Sequence, residues 1–64
     1  MDSRDLIRLL EQAGWRLDRV RGSHHVFVHQ ARGGHLVVPH PRKDLGVGLA
    51  KKLLRQAGID GGKP

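Results

Sequence analysis

The chain is expected to be an α+β domain with the order α-β-β-β-α, a three-stranded antiparallel sheet carrying two helices on one face. Two helical apolar periodicities, one near each end, and three short strand-like runs between them support this order. At 64 residues the domain is single and small, the size at which folding buries only roughly 60% of the unfolded chain's surface.

From Asp2 to Ala13, Leu6, Ile7, Leu9, Leu10 and Ala13 recur at helical spacing, with Arg4, Asp5, Arg8, Glu11 and Gln12 mainly on the other side. Asp2 or Ser3 can cap the start, and Gly14 suits a left-handed stop. Trp15 to Val20 alternates as a short strand with one parity slip near its end. "HHVFVHQ" is a second strand, "ARGG" has glycines suited to a hairpin turn, and "HLVVP" is a third strand. Pro39 and Pro41 end the sheet because neither can donate to a ladder. Leu49, Ala50, Leu53, Leu54 and Ala57 stripe a second helix within Asp44 to Ala57. Gly46 and Gly48 each cost about 1 kcal/mol inside a helix, so the regular helix is expected from Val47 onward. Gly58 marks its stop. The domain is taken as residues 1–60, with a disordered tail at 61–64.

Twelve Lys+Arg against six Asp+Glu give a formal charge of +6, which points to an acidic partner such as a nucleic acid. So short a chain has no room for a deep enclosed pocket, so chemistry belongs on an open face with a large ligand supplying the other wall. Without cysteine, disulfides and thiolate metal sites are excluded. An acidic start to the chain and the lack of a membrane-length apolar run lead to the expectation of a cytoplasmic protein.

Five histidines, His24, His25, His29, His35 and His40, titrate near neutrality. Read singly, each is a half-exposed ring on a strand. A metal would need three of them to converge, with His25, His29 and His35 the plausible set, and no metal or cofactor is expected. A Ser23-centred triad fails because no orienting acid is evident. RNA cleavage asks for less: the substrate brings its own nucleophile in the 2′-hydroxyl, and a base, an acid and nearby cations suffice.

"GSHHVF", "VVPHPRKDL" and "LAKKLLRQAGI", in that order and spacing, resemble the HicA toxins of bacterial toxin-antitoxin pairs. The likeness covers about residues 3 to 60. It implies a fold like the double-stranded-RNA-binding domain, an mRNA interferase activity, and a HicB antitoxin as partner. It also implies that the histidine of "GSH", His24, is catalytic, with Gly22 and Ser23 shaping the turn that presents it. Gly46 and Leu49 stand where the family commonly has proline and threonine.

Strand alternation leaves His25 as the second candidate, because it points to the open side if Val26 and Val28 face the helices. His24 reaches RNA if it lies in the turn, before the regular strand. Phe27 is either a base-stacking or partner-covered ring, or core. Arg21, Arg42 and Lys43 are candidates to hold the phosphate, and Lys51, Lys52 and Arg55 form a basic helix face. The rival readings are a non-catalytic RNA-binding module and a HicB-binding interaction protein.

Overall fold

In the computed structural model, which describes residues 1–59, the elements are α1 (Ser3–Gln12), β1 (Trp15–Arg21), β2 (His24–His29), β3 (Arg32–Pro39) and α2 (Val47–Gln56). The strands form one antiparallel sheet in the order β1-β2-β3. The expected tail at 61–64 lies outside the described residues.

Asp2 caps α1 by accepting from the Arg4 N–H (2.7 Å), which satisfies one of the donors a helix start leaves open. Ser3 is thereby freed for another role and is fully buried. The helix ends at Gly14, whose φ of 98° is one that side chains rarely adopt. Leu6 and Leu10 of α1, Leu53 of α2 and Ala57, its C-cap, meet Trp15, Phe27, Leu36, Val38 and Leu45 in one core. The Trp15 indole N–H donates to the Ala57 carbonyl (3.2 Å), pinning the start of the sheet to the end of α2. That helix begins at Val47, as its glycines predict, and Gly46 supplies no side-chain cap.

Phe27 is 1% exposed and belongs to the core. Val26 and Val28 therefore take the open face, opposite to the arrangement that would have turned His25 outward. Phenylalanine has the larger apolar surface to remove from water, so its burial decides which parity of the strand faces the helices.

The hairpin differs from expectation too. His29 pairs with Arg32, so the turn is Gln30 and Ala31, and β3 starts three residues before His35. The glycines of "ARGG" lie within β3, where the register shifts between the Phe27 and His29 pairings and Gly34 has φ 84°. Glycine is tolerated where such a bulge needs positive φ.

Candidate functional site on the open sheet face

The parity slip in β1 is a bulge. Leu17 pairs with Phe27 and Arg19 with Val26, leaving Asp18 as the additional residue. An extra residue moves everything after it to the opposite face. Arg19 and Arg21 therefore join the open side, where uninterrupted alternation would have kept them with Leu17 on the helix side.

Across the sheet, Arg19, Val26 and Val37 stand in one row, and Arg21, His24 and Pro39 in the next. Arg19, Arg21, His24, Val26, His35 and Val37 line a shallow concavity of about 470 Å³. Its floor, Val26, is 6% exposed although it faces away from the helices. The Arg19 guanidinium lies 2.9 Å from Asp18. His24 is exposed and is the first residue of β2, so it reaches the open side as a ladder residue and not from the turn. Gly22 in that turn has φ 60°, and Ser23 accepts at its carbonyl from the His40 N–H (2.8 Å).

The other histidines divide by face. The His29 ring packs edge-on against Trp15, with centroids 5.2 Å apart. Its Nδ1 accepts from the Ala31 N–H, so its Nε2–H donates to the Ala13 carbonyl at 2.9 Å. Both nitrogens are thus committed to structure. His25 lies beneath the sheet, edge-on to His40 at 4.7 Å, with Nδ1 buried and unpartnered. His25 and His29 share the helix side, whereas His35 is on the other. Among the described residues, no group of three or more potential ligands is placed to hold a metal ion.

Arg42 and Lys43 do not line the His24 concavity. They line a second one with Asp2, Arg4, His40 and Pro41. Lys51, Lys52 and Arg55 are exposed on α2, in the layer behind the sheet. Arg19 and His35 were not assigned to the site from sequence. The parity slip near the end of "WRLDRV" was the available signal for Arg19, and the bulge that aligns His35 left none.

The site is a histidine flanked by two arginines and a second histidine on the uncovered face of a small basic α+β domain. A family model described as HicA toxin of bacterial toxin-antitoxin matches residues 3–59, and the chain belongs to this family. It is accordingly the toxin of a toxin-antitoxin system, and the family implies an antitoxin partner. No curated protein matches the chain. No helix among the described residues is long and apolar enough to cross a membrane.

Proposed function

We propose that the protein is a metal-independent endoribonuclease acting on mRNA, with His24 as general base. His24 takes the proton of the ribose 2′-hydroxyl as that oxygen attacks phosphorus. The bond from phosphorus to the 5′-oxygen breaks, His35 supplies the proton this leaving oxygen needs, and the products are a 2′,3′-cyclic phosphate and a 5′-hydroxyl end. Arg19 and Arg21 balance the charge that builds on the phosphoryl oxygens.

The observation that carries this reading is the placement of His24, His35, Arg19 and Arg21 around one open concavity. An open face suits a polymer, and two imidazoles can divide the base and acid roles without any bound group. The partner is a HicB-type antitoxin covering this face, for which the 45% exposed Val37 offers apolar contact.

Incubating the purified protein with single-stranded RNA tests the reading. Fragments are expected from the wild type, with a rate lower by about 10²- to 10⁴-fold for His24→Ala. RNA that is bound but left intact by both proteins would leave a plain binding module in its place.

A further inference from the structure

Ser3 is fully buried in the first turn of α1. Its Oγ accepts from the Arg42 N–H (2.9 Å) and lies 2.6 Å from His40 Nδ1. A hydroxyl has one hydrogen to give and two lone pairs, so with the Arg42 N–H on one of them the oxygen still bonds Nδ1 in either ring tautomer. The contact fixes the position of the His40 ring. His25 holds the same ring edge-on at an interplanar angle of 84°. The His40 Nε2 makes no bond within the described residues and is not among their buried unpartnered atoms, so this edge of the ring is held facing solvent.

His40 lines a concavity of about 480 Å³ together with Asp2, Arg4, Pro41, Arg42 and Lys43. Three cations face one carboxylate there. That carboxylate is already engaged, accepting from the Arg4 N–H at 2.7 Å and lying 3.7 Å from the Arg4 guanidinium. Arg42 and Lys43 form no side-chain ion pair among the described residues. A net positive concavity with a fixed imidazole edge has the chemistry to bind a phosphate. It also adjoins the first site, because Pro39 pairs with His24 and the His40 N–H bonds to Ser23.

We infer that this concavity is a second anion site, taking a backbone phosphate next to the one held at His24 on the same RNA strand. The inference rests on the RNA-cleaving reading above, but its test reads binding. The His24→Ala chain, expected to cut RNA about 10²- to 10⁴-fold more slowly than the wild type, is titrated on a timescale shorter than its cleavage with a dinucleotide and with an RNA of about twelve nucleotides, a length within the usual single-strand site range. The longer RNA is used with and without a 5′-phosphate.

Adding Arg42→Ala and Lys43→Ala, both exposed positions, should weaken the longer RNA about tenfold whichever 5′ end it carries. The salt slope should shrink by about 1.4, or 0.7 for each of two lost contacts. Dinucleotide binding should not change. In the catalytic background the same pair should raise KM and leave kcat unchanged, as loss of uniform binding does. Equal weakening of both ligands would place these cations at the His24 phosphate, weakening confined to the 5′-phosphorylated RNA would make the site one for chain ends, and no weakening would make it a solvated face. Each of these three results overturns the inference. A wild type that never cleaves, with the binding difference intact, would instead overturn the nuclease reading alone.

Discussion

Replacing Ser3 by alanine removes one hydroxyl and strands two partners, the Arg42 N–H and His40 Nδ1. Each net hydrogen bond contributes about 0.5–1.5 kcal/mol, so the pair amounts to about 1–3 kcal/mol. Both bonds are part-buried, so water can reach some of what is left, and about 2 kcal/mol is the expected loss. A 64-residue domain has only roughly 3–10 kcal/mol in total. For a domain this small, 1 kcal/mol moves Tm by roughly 4–8 °C, so Ser3→Ala should melt roughly 8–16 °C lower. Thermal and urea unfolding followed by circular dichroism measure this, with Ser23→Ala, an exposed serine, as the control expected to stay within about 0.5 kcal/mol. If Ser3→Ala unfolds with the control, the serine does not tie α1 to the segment before α2.

His25→Ala should lower stability by about 1–2 kcal/mol, because it removes a half-buried ring packed edge-on against His40. Under folding conditions it should keep most RNA cleavage, and a loss equal to that of His24→Ala would reverse the two roles. Phe27→Ala should cost about 3–5 kcal/mol, enough to leave much of so small a domain unfolded by circular dichroism; native-like melting would show that this ring is not central to the core. The Gly46 N–H, first, and then the amino terminus beside it hold the Asp44 carboxyl below its ordinary range. A lowered carboxylate stabilises the fold above its unfolded pKa, and that contribution is lost as pH falls through the folded value. Asp44→Asn should therefore flatten the acid limb of a Tm-against-pH curve below about pH 4, whereas an unchanged limb would assign the acid sensitivity to other groups.

Both helices are legible in the sequence because their stripes are one-sided: Leu6 and Leu10, then Leu53 and Ala57, point to one core, and Gly14 and Gly58 stop them with positive φ. The middle strand is harder, since "HHVFVH" is apolar on both parities. Alternation alone cannot rank Phe27 against Val26 and Val28, and the helices packed against the sheet make that choice. The concavity at His24 depends on two bulges, at Asp18 and around Gly33 and Gly34. Local periodicity registers the first as a slip and the second as a turn. The pairing of Ser3 with His40 spans 37 residues and leaves no local pattern. Arg42 and Lys43 follow the last ladder residue, Pro39, so strand register says nothing about which concavity they line.

In the proposed mechanism His24, on the open sheet face, removes a proton from the substrate's own 2′-hydroxyl without a metal ion. The most direct measurement of this step compares an RNA with the same RNA carrying a single 2′-deoxy nucleotide at the mapped cleavage position, both with excess chelator. The wild type is expected to cut the first to a 2′,3′-cyclic phosphate end and to spare the second at that position, and His24→Ala to cut both slower by at least about 10²-fold than the wild type cuts RNA. Cleavage at the deoxy position, cleavage abolished by the chelator, or full activity in His24→Ala would each contradict this mechanism.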